Sequence, residues 1–130
     1  MNFYQKWCLK KAKIKVERLF KFYKKDEKIL DIGSGNCALN LLTDMAGYKI
    51  TSLDIVNKTA FKEITPIIYK GDKLPFKSDE FDIVQLITVL HHIKTPEETL
   101  KEAVRVAKKI IIMEDIYTNK FQKIITFIAD

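Results

Sequence analysis

The residues able to do chemistry gather where apolar runs end in a carboxylate. Ile29-Leu30-Asp31-Ile32 leads into Gly33-Ser34-Gly35 and then into a helical pattern over residues 37–46, the order of a strand, a tight turn and a helix. The glycines let the main chain turn sharply and let a ligand approach it, and the helix aims its free amides at the same spot. Ser52-Leu53-Asp54 and Gly71-Asp72-Lys73-Leu74 bring two more acids to the ends of later apolar runs. One aspartate at a strand end is as readily a turn former as a ligand; three at matching positions point to a shared site. Gly33-x-Gly35-x-x-Ala38 with Asp54 further on also satisfies a dinucleotide fingerprint, which seats a pyrophosphate on the helix N-terminus. Asp31 opposes that reading, because its charge would lie beside a negative pyrophosphate. A cation suits the turn better.

These residues need a sheet to position them, and the pattern supplies one. After the first strand the sequence predicts strands over residues 49–53 (ending in Asp54), 65–70, 81–87 and 109–114, alternating with helices over 37–46 and 96–107. The latter has Thr95 as N-cap, Pro96 at its first position and Glu97 and Glu98 facing the positive end of the dipole. The connection from Asp54 to Thr65 is near the lower limit for a crossover, so at most a turn or two of helix is expected around residues 59–63. Leu9, Ala12, Val16, Leu19, Phe20 and Tyr23 recur at helical spacing, so residues 5–23 read as an amphipathic helix. Residues 118–129 read as a last helix with Phe121, Ile124, Ile125 and Ile128 on one face. The result is an α/β fold with a parallel sheet, whose ligand lies beyond the carboxyl ends of the strands where their order reverses.

At 130 residues the chain is one domain with one core. Two cysteines, Cys8 and Cys37, in unlike contexts argue against a disulfide framework and for a reducing compartment. Cys37 reads as a buried space-filler rather than a reactive thiol. The N-terminus lacks the apolar segment of a signal peptide and no run approaches a membrane span, so a cytoplasmic location is expected. Residues 1–25 hold nine Lys or Arg and one Glu, whereas residues 26–130 hold fourteen bases and sixteen acids. The basic excess is therefore an N-terminal matter. A core-capping helix with a solvated lysine face accounts for it better than a nucleic-acid or membrane contact.

Five motifs in order make the pattern specific. Asp31-Ile-Gly-Ser-Gly, Ser52-Leu53-Asp54, Gly71-Asp72-Lys73-Leu74-Pro75-Phe76, Phe81-Asp82-Ile83-Val84 and Val89-Leu90-His91-His92-Ile93 resemble the successive motifs of class I S-adenosylmethionine-dependent methyltransferases, and within them the small-molecule "type 11" branch. The likeness runs from about Lys28 to Asp115. Cys37 departs from it, standing where many members have a third glycine. The resemblance implies a three-layer Rossmann-like sheet of order 3-2-1-4-5, and S-adenosyl-L-methionine as cofactor. That molecule carries an ammonium, a sulfonium and one carboxylate, which an acidic turn stabilises where it would repel NAD. The resemblance further implies Asp31 near the methionine end and Gly33, Ser34 and Gly35 at the turn. Asp54 with neighbouring Ile55 would take the ribose. Gly71, Asp72, Lys73 and Leu74 would frame the adenine, and the carbonyls around Leu86 and Ile87 would take the ammonium.

Catalytic residues are less legible. His91 and His92 border the pocket in relatives and could remove a proton from an acceptor; packing within the loop is the plainer role. Asp115, next to Glu114 at the tip of the fifth strand, is a third weak candidate. No metal site is expected. Tyr4 and Trp7 could cover the pocket, although core packing explains them better. Members of the family continue beyond the fifth strand with a helix and two further strands, so the chain reads as an incomplete domain lacking the last two strands. Its fifth strand, Ile110-Ile111-Ile112-Met113, would then be an apolar edge open to a partner or a second copy. The expected activity is methyl transfer to an unidentified small-molecule acceptor by in-line displacement. A catalytically silent cofactor-binding module needing a partner, and an NAD(P)-dependent oxidoreductase, are the alternatives.

Overall fold

The structure, a computed structural model, describes the backbone of residues 1–118 and 121–129 and the side chains of residues 1–114. A six-stranded sheet carries the chain: β1 (Lys28–Ile32), β2 (Lys49–Asp54), β3 (Ile67–Ile68), β4 (Phe81–Ile87), β5 (Ala107–Thr118) and β6 (Phe121–Ala129). Their order is β3-β2-β1-β4-β5-β6. The first five are parallel, in the 3-2-1-4-5 order expected. The helices are α1 (Phe3–Leu19), α2 (Ala38–Met45) and α3 (Pro96–Val106).

Alternation along the strands divides the core. Leu30, Ile32, Val84, Leu86 and Ile110 face α3 and pack with Ala103 and Val106. Ile29, Ile83, Ile87, Ile111 and Met113 face the other way, against Leu19 at the end of α1 and Tyr23 a few residues beyond it. Further along α1, Cys8 and Ala12 pack on Ala38 and Leu41 of α2, with Phe61 closing the cluster. The start of α1 is fixed by a capping box: Gln5 N–H donates to Asn2 Oδ1 (2.8 Å) and Asn2 N–H to Gln5 Oε1 (3.0 Å). Gln5 Nε2 also reaches the Ala60 carbonyl at 2.7 Å, tying the helix to the connection after β2.

Several expectations are corrected. Residues 118–129 are not a helix: β6 runs antiparallel to β5, from Ile110↔Ala129 to Thr118↔Phe121. Ile124, Ile125, Thr126 and Ile128 are β-branched and disfavour helix, and the open backbone of β5 offers them a ladder. The apolar edge expected at the fifth strand is thus covered. Around residues 59–63 the chain stays within the limit of a turn or two of helix: it makes only a turn at Lys62–Glu63, and buried Phe61 anchors the connection. The third strand is two residues rather than six, limited by Pro66 before it. α1 ends at Leu19 and continues as a 3₁₀ turn, Phe20–Phe22. Thr95 stands at the N-cap of α3, but its side chain makes no capping bond.

Candidate functional site: a cleft at the seam between β1 and β4

A cavity of about 630 Å³ opens beyond the carboxyl ends of β1, β2 and β4. One wall is the turn after β1. Gly33, Gly35 and Cys37 all have positive φ, at 81°, 54° and 62°. A Cβ on Gly33 would lie 2.3 Å from Val89 Cγ2, whereas one on Gly35 would meet nothing within 4 Å. Gly33 is therefore needed for packing, and Gly35 leaves its side of the turn open. The amides of Gly33 and Ser34 donate to the Leu53 carbonyl (2.8 and 3.1 Å) and that of Cys37 to the Ser34 carbonyl (2.9 Å). Gly35 N–H donates to Asp54 Oδ2 at 2.8 Å. Four amides of the turn are thus consumed within the protein. Cys37 is fully buried, and burial pushes its thiol above the ordinary value, as a space-filler rather than a nucleophile requires.

Asp31 and Asp54 both line this cavity. Asp54 accepts from Gly35 N–H and, at 2.7 Å, from Ile55 N–H. Each carboxylate oxygen keeps a further lone pair for a ligand. Asp31 is 4 % exposed, and its register partners are Ser52 on β2 and Gln85 on β4. Gln85 Nε2 donates to Asp31 Oδ1 at 3.0 Å, and the Tyr23 hydroxyl donates to Gln85 Oε1. Burial pushes the Asp31 carboxyl up to about 6, against the lowering effect of the Gln85, Asn40 and Ser34 side chains. Burial, and then the charge of Asp31, raise the Tyr23 hydroxyl above its ordinary value, so this tyrosine remains a donor. Asn40 on α2 donates to Ser52 Oγ at 2.8 Å, and its own Oδ1 is buried with no donor among the described residues.

Other expected residues divide between cavity and core. Ile55 lines the cavity at 60 % exposure beside Val56 at 44 %, an apolar pair left uncovered next to a carboxylate. Ser34 and Ile87 also line it. Leu86 does not, since alternation turns it toward α3. Leu74 is buried in that same core, its N–H bonded to Glu102 Oε1 (2.8 Å) and its carbonyl to Arg105 (3.1 Å). Asp72 and Lys73 are exposed and outside the cavity wall. A Cβ on Gly71 would lie 3.4 Å from Ile55 Cγ2. Tyr69, between Asp54 and Asp72, lines the cavity, and its hydroxyl is raised by burial and then by the charges of those two residues.

The two histidines part ways. His92 lines the cavity. His91 turns to Glu114, Nδ1 to Oε2 at 2.9 Å, while Glu114 Oε1 accepts from Leu90 N–H at 2.7 Å. Asp115 lies on β5, but its side chain falls outside the described residues. Sequence reasoning missed Gln85, Tyr23, Asn40 and the cavity-facing Lys11 and Lys15 of α1. A glutamine inside the apolar run Phe81–Ile87 was the available signal.

The family model for a methyltransferase domain matches residues 30–110, more than half of the chain. The chain belongs to this methyltransferase family. It shares the class I S-adenosylmethionine-dependent fold with solved structures, at identities that speak for the fold alone. An S-adenosylmethionine-dependent methyltransferase of Aquifex aeolicus is 20% identical at a TM-score of 0.64, over 82% of this chain and 68% of that one. One from Methanosarcina mazei is 22% identical at 0.64, over 78% and 57%. A Haloferax volcanii protein solved with the methyltransferase activator Trm112 is 23% identical at 0.58, over 71% and 46%. An uncharacterised protein of Methanocaldococcus jannaschii is 48% identical over 52 residues, 38% of this chain and 25% of that protein. The chain thus spans a quarter of that relative and about half of the Methanosarcina mazei and Haloferax volcanii chains. Among the described residues no helix is long and apolar enough to cross a membrane.

Proposed function

We propose that this methyltransferase domain binds S-adenosylmethionine in the cleft at the β1–β4 seam and transfers its methyl group to a small-molecule acceptor. One observation carries the reading: Asp31 and Asp54 flank the Gly33–Gly35 turn in one cavity, while the turn's amides are already bonded within the protein. Such a turn is poor at holding a pyrophosphate and well suited to a ligand with positive charge at one end and a diol at the other. The cavity volume falls in the range typical of sites for molecules of that size. Asp31 would hold the methionine ammonium. Asp54 would take the ribose hydroxyls, and Ile55, Val56 and Tyr69 would pack on the nucleoside. When bound, the cofactor supplies an activated methyl group on a sulfonium. The chain's part is to align an acceptor behind that carbon and to exclude water. His92, on the cavity wall, is the group placed to accept a proton from the acceptor.

Isothermal titration with S-adenosylhomocysteine and with NADH tests the donor. The expected result is micromolar binding of the first and none of the second; NADH binding with no S-adenosylhomocysteine binding would overturn the assignment. Asp54→Ala should weaken S-adenosylhomocysteine at least tenfold, and parental affinity would remove the ribose role. Turnover is a separate matter, because the chain spans about half of several solved relatives and one of those was solved with an activator protein. A donor-binding chain that methylates only with a partner added is the second reading. An acceptor screen with and without such a partner separates the two.

A further inference from the structure

The cavity wall opposite the strand ends is made by α1, and its charge is of the opposite sign. Trp7, Lys11 and Lys15 line the cavity together, at positions i, i+4 and i+8 of one helix face. They span about 12 Å along the helix axis. Lys11 Nζ lies 4.3 Å from the centroid of the Trp7 ring, a cation–π contact that keeps the ammonium on this face. Lys15 is half-buried and donates to Thr88 Oγ1 at 3.1 Å. Thr88 stands at the end of β4 with φ of 53°, a conformation costly for a β-branched residue and typical of functional sites. Among the described residues neither Lys11 nor Lys15 has a carboxylate within ion-pairing distance. A half-buried ammonium held by one hydroxyl is short of both charge and hydrogen-bond acceptors.

Charge balance says what is missing. Lys11, Lys15 and Lys58 line the cavity against Asp31 and Asp54. A donor carrying an ammonium, a sulfonium and one carboxylate adds one more positive charge. With the donor in place the cleft therefore holds an excess of positive charge, gathered on the α1 side. A neutral or cationic acceptor would leave that excess, half-buried Lys15 included, without a counter-charge in the cleft. We infer that the acceptor is an acidic small molecule, with a carboxylate or phosphate seated on Lys11 and Lys15 of α1. This rests on the donor reading above and adds the substrate class. It also gives the basic N-terminal helix a use that solvation of its outer face does not supply. Lys15, in reach of Thr88 at the strand end, would fix the anion, and Lys11 would close over it.

The chain has a single tryptophan, and it stands in this wall, so its fluorescence reports the subsite directly. The chain is first titrated with S-adenosylhomocysteine; no binding would overturn the donor reading and this inference with it. The saturated complex is then titrated with benzoate, phenyl phosphate and the neutral control benzamide. Benzoate or phenyl phosphate should quench Trp7 and bind at least tenfold tighter than benzamide, with an affinity that falls as salt is raised. A Lys11→Met, Lys15→Met double variant, which keeps the apolar stems, should lose that preference and keep S-adenosylhomocysteine affinity within about twofold. Lys15→Arg in the Lys11 parent should retain anion binding. If the anions bind no better than benzamide, or the double variant still prefers them, the inference is wrong. A third outcome also overturns it. If the double variant loses S-adenosylhomocysteine tenfold while keeping methylthioadenosine, which lacks the amino-acid end, the ammoniums serve the donor's own carboxylate.

Discussion

Gln85 donates from Nε2 to Asp31 Oδ1 at 3.0 Å, across the seam between the two halves of the sheet. The orientation of the amide is dictated from its far side. Tyr23 is buried and donates to Oε1, so the nitrogen must face Asp31. The glutamine thus holds Asp31 Oδ1 as an acceptor. Gln85→Leu would strand a buried hydroxyl and a buried carboxylate together, and should lower stability in urea by about 2 kcal/mol or more. Tyr23→Phe leaves only Oε1 unpaired and should cost about 1–2 kcal/mol while retaining S-adenosylhomocysteine affinity at pH 8. Equal unfolding midpoints for Gln85→Leu and the parent would show that the bond contributes nothing.

Asp31 sets a pH dependence of the fold. Its carboxyl titrates at about 6 in the folded chain against an ordinary value of 3.8, so the fold holds this proton more tightly than the unfolded chain. The associated stability is fully present below the ordinary value and is lost as pH rises through about 6. Between about pH 4.5 and about pH 8 the parent should lose roughly 2 kcal/mol relative to Asp31→Asn, which has no such proton. Urea unfolding of both proteins at the two pH values measures the difference directly. A constant gap would mean that Asp31 is not buried in a titrating state.

The same proton governs ligand binding. An ammonium prefers the ionised carboxylate, so S-adenosylhomocysteine affinity should rise with pH through about 6. Because the Gln85 bond lowers the Asp31 value, Gln85→Leu should move that midpoint upward. Calorimetric titrations across the range with an unmoved midpoint would break the link between the two residues.

Gly33 and Gly35 should answer differently to one methyl group. Gly33→Ala meets Val89 Cγ2 at 2.3 Å with φ at 81° and should destabilise the fold by about 3 kcal/mol or more. Adding Val89→Ala should restore part of that loss. Gly35→Ala has open space around it and should cost about 1 kcal/mol in backbone strain while weakening S-adenosylhomocysteine at least tenfold. Thermal unfolding and titration of the three variants decide the matter, and equal stabilities for the two alanine variants would contradict the geometry.

Arg105 organises the segment between β3 and β4. It donates to the carbonyls of Phe76 (2.9 Å) and Leu74 (3.1 Å) and grips Glu102 (2.6 Å), whose other oxygen takes Leu74 N–H. That hydrogen bond with Arg105 is the leading reason the Glu102 carboxyl lies below the ordinary value. Arg105→Ala should speed hydrogen exchange at the Leu74 amide at least tenfold; unchanged protection would show that the core holds Leu74 without the clamp.

Legibility in the sequence followed the range of the interactions involved. Asp31, Gly33, Gly35 and Asp54 could be placed because each marks the end of a local run, and the fold brings them into one cavity. Asp72 carried the same signal, but Arg105 and Glu102 draw its segment toward α3, and it ends exposed outside the cavity wall. Gln85 became meaningful only through register, which sets it beside Asp31 across 54 residues of chain. Lys15 was hidden among the lysines of α1, where spacing alone does not say which one meets Thr88. For residues 118–129 two periods competed. Ile124, Thr126 and Ile128 alternate as well as fitting a helix, and the unpaired side of β5, absent from any local window, decided for a strand.

The sheet order has a consequence for synthesis. β1 leaves the ribosome early with β2, but its other neighbour, β4, begins at Phe81 and is itself flanked by β5 from Ala107. The donor cleft straddles that junction, so a nascent chain cannot complete it until β4 and the loop as far as Ile93 have emerged. Ligand capture then acts as a latch on the assembled sheet, adding its binding energy to the native state alone.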